Sequence, residues 1–179
     1  MKNTTLLLGL ALLGACSSNN KEVKTTDGAT VVTFNDFEAG GGWLPDPTLL
    51  AKGQAHSGQY AMIVNKDHEF SLTFNSTLGR LSPRKFKKLR LEAWAYMPDA
   101  NATGNLGIQL MDASDQKQLY GDGISFRTTI KEYGEWVPIS KEFVLPDTIT
   151  ANQHLRMFLW RADAQSDVLV DDVKLSIVE

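Results

Sequence analysis

Three segments of the sequence alternate apolar residues with aromatic and polar ones. In "KLRLEAWAYM", "NLGIQLMD" and "LRMFLWR" every second residue is apolar, and the residues between include aromatic, charged and amide side chains. Alternate residues of a β-strand point to opposite faces, so one face of these strands would carry the mixed set. The set comprises Arg90, Glu92, Trp94, Tyr96, Gln109, Arg156, Phe158 and Trp160.

This composition suits a shallow binding surface for a neutral, hydroxyl-rich ligand. The C–H face of a sugar ring packs flat on an indole or phenol ring, while carboxylate, guanidinium and amide groups bind its hydroxyls. Alternatively, the rings are covered by a loop or pack against one another, because aromatic residues in sheets are usually structural. The pattern leaves both interpretations open.

Two adjacent carboxylates, Asp171 and Asp172, interrupt the last apolar run, "DVLVDDVKLSIV". Asp171 has the same parity as Val173, Leu175 and Ile177, which places its side chain on the inward face of a strand. An inward carboxylate needs a partner, and a cation would provide one. The alternative is a solvated pair of aspartates at an exposed start of the strand.

The residue patterns of common catalytic sites are missing from the sequence. The histidines are scattered without metal-ligand spacing such as HExxH, and "GISFR" lacks the GxSxG pattern of a serine nucleophile. Glu92 and Asp112 lie near the mixed face, but they form no compact carboxylate motif for glycoside hydrolysis. The sequence therefore predicts a protein that is not an enzyme. A small polysaccharide lyase or glycosidase, using Glu92 with Arg90 or Arg156, is a further alternative.

Short strands separated by turn signals such as "PDANATGN" and "YGDG" would position these residues. They predict an all-β fold, a single antiparallel β-sandwich. Gly121 and Gly123 would supply positive φ angles at one turn, and a short helical turn is predicted near residues 49–51. The predicted strands lie near residues 30–37, 59–65, 68–75, 87–97, 105–112, 123–130, 135–145, 154–161 and 167–178.

Residues 1–16 are predicted to be an export leader. Lys2 precedes the apolar run "LLLGLALLG", which is too short to span a bilayer, and "LGAC" ends at Cys16, the only cysteine of the chain. This arrangement resembles the bacterial lipobox, whose cysteine is lipidated and becomes the new N-terminus. The alternative is an ordinary secretory signal. With Cys16 lipidated, the fold would form without a disulfide, and the protein would be anchored in the bacterial envelope, at the outer membrane on its periplasmic or surface side.

Residues 17–29, "SSNNKEVKTTDGA", are polar and aperiodic, which predicts a flexible tether to a body at residues 30–179. The body has the size of one domain and is predicted to be monomeric. The formal charge of −3 becomes about −4 when Lys2 leaves with the leader. A mildly acidic body argues against nucleic acid as a partner.

The densest charge run is "RLSPRKFKKLR", with basic residues at positions 80, 84, 85, 87, 88 and 90. It would form either a solvated loop and strand edge, or a contact with acidic polysaccharide or with anionic headgroups near the anchor. The sequence does not decide between them.

Five sequence blocks occur in an order that resembles a known family. "FNDFEAGGGW" is followed by "AHSGQYAMIV", "LRLEAWAYM", "YGEWVPISKEFVLP" and the terminal "DVLVDDVKLSIV". Across residues 34–178 they resemble the calcium-containing β-jelly-roll carbohydrate-binding modules appended to bacterial xylanases and glucanases. The resemblance implies a jelly-roll sandwich that binds polysaccharide on an aromatic-bearing concave face, although the same sandwich also occurs in modules with no known ligand.

The resemblance also implies a structural Ca²⁺ ion where the first and last strands meet. Calcium takes hard oxygen ligands, both carboxylates and carbonyls. The implied ligands are Glu38 and Asp171, with Asp36 or Asp172 contributing a side chain or a carbonyl, and backbone oxygens near His56 or Ser57.

By the same resemblance, Phe158 takes the position of a ring that stacks on sugar, and Trp160 replaces the polar residue expected two positions later. Such modules normally lie beside a catalytic domain, and this sequence carries none. The first hypothesis is therefore a non-catalytic, lipid-anchored protein that binds polysaccharide or oligosaccharide. The second is a structural or accessory envelope lipoprotein whose aromatic face packs against another protein.

Overall fold

The computed structural model describes residues 28–39 and 46–178, about half of which lie in β-strands. Helical structure in this part of the chain consists of a 3-10 turn at Pro47–Leu49 and two one-turn helices, α1 (Leu78–Leu81) and α2 (Phe126–Thr129). No helix among these residues is long and apolar enough to cross a membrane. The strands are β1 Thr30–Asn35, β2 Leu50–Lys52, β3 Tyr60–Val64, β4 Phe70–Thr77, β5 Lys88–Tyr96, β6 Asn105–Met111, β7 Gln118–Ser125, β8 Trp136–Val144, β9 His154–Trp160 and β10 Val168–Val178.

The strands form two antiparallel sheets. The six-stranded sheet has the order β2-β3-β10-β5-β8, and β1 pairs with the C-terminal half of β10 beyond the end of β3. The four-stranded sheet has the order β4-β9-β6-β7. The predicted all-β antiparallel sandwich is thus confirmed.

The core lies between the two sheets and follows the alternation of the sequence. Leu89 and Leu91 of β5 and Leu155, Met157 and Leu159 of β9 have no exposed surface. Burying a leucine or methionine side chain stabilises a fold by about 1.5–3 kcal/mol. The apolar residues of each alternating segment therefore lie on the inward faces of the sheets, and the aromatic and polar residues between them face outward.

The strand predicted at residues 123–130 lies earlier in the structure. β7 covers Gln118–Ser125, and the chain then turns through α2, where Phe126 is fully buried. Gly121 and Gly123 lie inside this strand, and neither has a positive φ. The prediction of a turn at "YGDG" was wrong. These glycines are needed because neighbouring side chains leave no room for a Cβ atom, and not because the backbone adopts a positive φ.

The helical turn predicted near residues 49–51 begins two residues earlier, at Pro47. A carboxylate oxygen of Asp46 accepts a hydrogen bond from the backbone N–H of Thr48 at 2.9 Å, which caps the turn at its start. The chain then continues directly into the short edge strand β2. Proline fixes its own φ in the helical range, so Pro47 sets where the turn starts.

The predicted leader, its Cys16, and the predicted tether up to residue 27 lie outside the described residues. The described part of the predicted body begins with β1, whose first residue, Thr30, pairs with Ile177 near the end of β10.

Candidate functional site

The predicted binding residues lie on opposite faces of the sandwich. The four from β5 project from the outer face of the six-stranded sheet, whereas the four from β6 and β9 project from the outer face of the four-stranded sheet. The expectation of a single platform was therefore wrong. Alternation along a strand separates inward from outward residues, but it does not say to which of the two sheets a strand belongs.

On the six-stranded sheet, the β5 residues contact neighbouring protein groups. Arg90 Nη2 lies 2.9 Å from Glu142 Oε1. The Trp94 ring stacks on the His56 ring with centroids 3.8 Å apart, and Tyr96 packs against the ring of Trp136. This surface matches the alternative in which the aromatic residues pack against one another.

Glu92, the fourth β5 residue of the predicted set, forms an ion pair on this face. Its Oε2 atom lies 2.8 Å from Lys174 Nζ, and the two residues occupy directly paired positions on β5 and β10. Opposite charges at paired positions stabilise a sheet. The β5 residues therefore have partners within the protein.

The four-stranded sheet carries a strip of aromatic rings across two neighbouring strands. Phe70 of β4 lies opposite Trp160 of β9, and the centroids of these two rings are 6.4 Å apart. The centroid of the Phe70 ring is 5.9 Å from that of Phe158. Phe70 is 49% exposed, and the other two are half-buried. Trp160 donates its indole N–H to Glu69 Oε1 at 3.3 Å. We call Phe70, Phe158 and Trp160 the aromatic strip.

Sequence reasoning missed Phe70 because a bulge interrupts the alternation of β4. Phe70 has the same parity as Leu72 and Phe74, which pack into the core, so a regular strand would point it inward. The pairing with β9 shifts between Phe70 and Thr73, and this irregularity turns Phe70 outward. No pattern in the sequence marks the bulge.

Three glycines form the floor of an open depression beside the aromatic strip. A Cβ atom on Gly107 would lie 3.2 Å from Cζ of Phe158, one on Gly123 would lie 2.0 Å from Oδ1 of Asn105, and one on Gly121 would lie 2.5 Å from Nε2 of Gln118. The missing side chains leave a space of about 420 Å³, which we call the trough. Its lining residues are Asn105, Gly107, Ile108, Gln109, Gln118, Gly121, Asp122, Gly123, Ser125, Phe158 and Trp160.

Amide side chains supply the polar groups of the trough. Gln109 lies near its middle, at a position paired with Gly121 on one side and Arg156 on the other. Among the described residues, the Gln109 side chain has no hydrogen-bond partner, and it remains partly exposed. An amide with both groups available can donate a hydrogen bond to a sugar hydroxyl through its NH₂ group or accept one through its oxygen. Gln109 is thus a predicted residue that the fold places beside Phe158.

Arg156 lies in a charged cluster at one end of this face. Its Nη2 atom lies 2.7 Å from Oδ2 of Asp115, which also accepts a hydrogen bond from Asn75 Nδ2 at 3.0 Å. The hydrogen bond from Arg156 is the main reason that the pKa of Asp115 is lowered. The guanidinium group is held in place and retains 31% of its side-chain exposure.

Asp171 and Glu38, two of the predicted metal ligands, accept backbone hydrogen bonds instead. Asp171 is fully buried, and its Oδ2 atom accepts the N–H groups of His56 at 2.9 Å and Ser57 at 3.0 Å. Oε1 of Glu38 accepts the N–H groups of Gln59 and Tyr60, both at 2.7 Å. The loop lies where the resemblance implied, but it presents donors to these carboxylates rather than carbonyl oxygens.

The other two predicted ligands also have protein partners. Oδ2 of Asp172 lies 2.6 Å from Nδ1 of His56, and its Oδ1 accepts the hydroxyl of Ser57 at 2.8 Å. Asp36 accepts the backbone N–H of Glu38 at 3.2 Å. Within residues 28–39 and 46–178, no group of three or more histidine, cysteine, aspartate or glutamate side chains could hold a metal ion. Each of these carboxylates therefore has hydrogen-bond donors of the protein as partners, and the implied calcium ion stays a prediction that chelation can test.

No protein-family model matches the sequence, and the search of curated proteins finds no match. Solved structures do show a similar fold. The CBM22-1 xylan-binding domain of Paenibacillus barcinonensis Xyn10C has a TM-score of 0.56 at 14% identity, covering 88% of this chain and 98% of that domain. The C-terminal family 22 carbohydrate-binding module of Clostridium thermocellum Xyn10B has a TM-score of 0.55 at 13% identity, covering 87% of this chain and 96% of the other.

The tandem of both family 22 modules of the Paenibacillus protein has a TM-score of 0.55 at 17% identity. The match covers 83% of this chain and 50% of the tandem, so this chain spans about half the length of that relative. At these identities the similarity concerns the fold. The chain has the β-sandwich fold of family 22 carbohydrate-binding modules.

Proposed function

We propose that this protein is a non-catalytic polysaccharide-binding module that is lipid-anchored in the bacterial envelope. The ligand would lie in the trough, along the aromatic strip on the four-stranded sheet. The observation that carries this proposal is the juxtaposition of Phe158 with Gly107 and Gly123, which leaves a half-buried ring beside a floor without side chains. The fold shared with carbohydrate-binding modules supports it.

The chemistry of binding follows from the groups around the trough. The rings of Phe158 and Trp160 offer apolar faces to the C–H face of a sugar, while Asn105, Gln109 and Gln118 offer amide donors and acceptors to its hydroxyls. An open surface desolvates few contacts, so the affinity of one module would be modest. Many copies anchored on one membrane would raise the apparent affinity by avidity.

The carboxylates near the trough do not favour catalysis. A glycoside hydrolase needs a general acid whose pKa is raised, together with a second carboxylate. The pKa of Asp115 is lowered by its hydrogen bond with Arg156. Burial raises the pKa of Asp122, but hydrogen bonds from Lys141 and from the Gly123 backbone lower it overall. Both groups are therefore ionised near neutral pH and are poor proton donors.

The lipid anchor and the location of the protein are proposed from the sequence. An apolar run followed by "LGAC" supports export with lipidation at Cys16, and the polar residues after it favour the outer membrane. Metabolic labelling with a fatty-acid analogue tests the anchor. Incorporation should be lost in Cys16→Ser, and labelling that persists in this variant would refute lipidation at Cys16.

Affinity gel electrophoresis of residues 17–179 against a panel of neutral and acidic polysaccharides tests the binding function. We expect one class of neutral polysaccharide to retard the protein, and Phe158→Ala/Trp160→Ala to remove the retardation. The matched control is Trp94→Ala/Tyr96→Ala, which removes two rings from the opposite face. Thermal melts of both variants check that the fold is retained.

The control separates the two faces of the sandwich. Loss of retardation in the Trp94/Tyr96 variant, with binding unchanged in the Phe158/Trp160 variant, would move the site to the six-stranded sheet. A lack of retardation by every polysaccharide would refute the proposed function.

A second candidate function is contact with another envelope protein through the six-stranded sheet. Phe34 is 54% exposed there and lines a depression of about 330 Å³ together with Trp94. An exposed ring beside a depression is where this sheet could contact a partner, since exposed apolar surface is a feature of contact sites on proteins. Crosslinking from a photoreactive residue at position 34 in cells tests this function, and a protein adduct absent with the same residue at position 70 would support it.

A further inference from the structure

The end of the six-stranded sheet at which the chain enters the fold also carries a group of basic residues. Thr30, the first residue of β1, pairs with Ile177 of β10, and the next residue of β10, Val178, pairs with Lys88 at the start of β5. Neighbouring strands lie about 4.8 Å apart. The start of β1 is therefore only about 10 Å from the start of β5, into which the basic segment leads.

The basic segment surrounds an apolar depression at this end. Leu81, Phe86, Ile177 and Val178 contribute apolar lining to a space of about 410 Å³ that Thr30 also borders. Four basic residues line the same space, and we call them the basic rim: Arg84, Lys85, Lys87 and Lys88.

The backbone holds this segment in place while the charges remain at the surface. Phe86 is buried, Leu145 donates its N–H to the Lys87 carbonyl at 2.8 Å, and the hydroxyl of Ser82 donates to the carbonyl of Arg84 at 2.8 Å. Lys87 Nζ lies 3.0 Å from Asp147 Oδ1, but both side chains are about three-quarters exposed, at 74% and 78%. An ion pair this exposed is weak. The segment at residues 80–90 has basic residues and no acidic one, so its net charge is positive.

The chain outside the described residues limits how far this end can lie from the proposed anchor. Residues 17–27 could span at most about 40 Å when fully extended, at about 3.5 Å per residue. A random coil of this length has a root-mean-square span of about 18 Å. With Cys16 in a bilayer, the end of the sandwich that holds Thr30 would be the part of the domain nearest to the membrane.

We propose that the basic rim binds the anionic headgroups of the bilayer in which the protein is anchored. Charge complementarity and position both favour this partner, because the cations lie where the tether joins the fold while the chain as a whole has a formal charge of −3. The orientation rests on the proposed lipid anchor and does not rest on carbohydrate binding. Contact at the ends of the strands would leave the outer face of the four-stranded sheet, and thus the trough, free for a polysaccharide.

The test measures binding of residues 17–179, without the lipid, to vesicles. All strands and core residues of the described structure lie within this chain. Co-sedimentation is compared for phosphatidylcholine vesicles with and without about 30% phosphatidylglycerol. Each basic residue near an anionic bilayer strengthens binding by about fivefold. Arg84→Gln/Lys85→Gln/Lys87→Gln should therefore weaken binding to the anionic vesicles on the order of 100-fold.

The control is Lys66→Gln/Arg127→Gln/Lys131→Gln, which removes the same charges from other exposed positions. Support for the proposal is binding that requires phosphatidylglycerol, falls steeply with salt, is lost in the rim variant and persists in the control. Equal losses in the two variants would overturn it, because the attraction would then be unspecific. Binding to acidic polysaccharide but not to anionic vesicles would also overturn it, in favour of a polysaccharide partner.

The outcome is independent of the proposed carbohydrate function. The rim variant should be retarded in neutral polysaccharide gels as strongly as the unmodified protein, because its substitutions lie outside the trough. A protein that binds vesicles but no glycan would refute the proposed function alone. A protein that binds glycan but no vesicles would refute the present proposal alone.

Discussion

Replacing the buried carboxylate of Asp171 by an amide tests whether hydrogen bonds alone join β10 to the loop at His56. Asp171→Asn keeps the shape of the side chain. Its amide oxygen can still accept the N–H groups of His56 and Ser57, but its NH₂ group must then face the N–H of Asp172, which donates to Oδ1 of Asp171 at 2.7 Å. The variant therefore loses the negative charge and one acceptor.

The loss of stability can be estimated from these contacts. Two hydrogen bonds weaken by about 1 kcal/mol each when their acceptor loses its charge, and an unpaired buried donor costs about 1–3 kcal/mol. Burial raises the pKa of Asp171 because it disfavours the charged form, so removing the charge offsets part of this loss. The hydrogen-bond losses sum to about 3–5 kcal/mol, so with this offset we expect the free energy of unfolding to fall by on the order of 3 kcal/mol, which lowers the Tm of a domain of this size by about 6–12 °C.

Thermal melts with and without a chelator separate this explanation from a calcium site. We expect EDTA and added Ca²⁺ to leave the Tm of the unmodified protein unchanged, while Asp171→Asn lowers it under both conditions. Asp167→Asn, at an exposed position just before β10, is the control and should have little effect. A chelator that lowers the Tm as much as the substitution does would refute the reasoning, because a ligand that binds the folded state stabilises it.

Two further predictions concern the four-stranded face. Phe70→Ser should weaken binding to the retarding polysaccharide about tenfold, the loss expected for one aromatic contact of about 1.4 kcal/mol. Phe34→Ser, which removes a ring of similar exposure from the other sheet, should leave binding unchanged, and equal effects of the two would contradict the placement of the site. The pKa of Asp115 is lowered by its hydrogen bond with Arg156. The ionised carboxylate therefore stabilises the fold at pH values above its pKa in the unfolded chain, which is about 3.9. This stabilisation is lost as the pH falls through the lower pKa of the folded state. The Tm difference between the unmodified protein and Asp115→Asn should therefore stay constant from about pH 8 to 5 and shrink below about pH 4, and a difference that shrank between pH 7 and 6 would contradict this assignment.

Alternation predicted the class of the fold because each strand buries one side. Leu89 and Leu91 in β5 and Leu155 and Met157 in β9 lie where their parity places them. Parity failed at Phe70, where a bulge shifts the register without any signal in the residue types. The order of strands within the sheets was also out of reach, because it depends on contacts between segments far apart in the sequence.

Only part of the candidate site could be predicted, because the sequence does not show which strands lie in the same sheet. Gln109, Arg156, Phe158 and Trp160 were grouped correctly, since β6 and β9 are neighbours in one sheet. The β5 residues belong to the other sheet, but the sequence predicts them on the same face because the outward residues of all three strands are aromatic and polar. The glycines of "YGDG" suggested a turn, although their role is to leave room for the side chains of Asn105 and Gln118.

The pairing of residues across strands distinguishes the two outer faces and indicates which kind of ligand fits. On the six-stranded sheet, Arg90 lies opposite Glu142, so charges of opposite sign neutralise each other in register. On the four-stranded sheet, Gly107 lies opposite Phe158 and Gln109 opposite Arg156, so a ring and an amide remain available beside an open floor. Because the guanidinium of Arg156 is already paired with Asp115, this face offers little free charge. Ring faces and uncharged amides favour a neutral glycan chain, and acidic substituents on that chain would gain no ion pair in the trough.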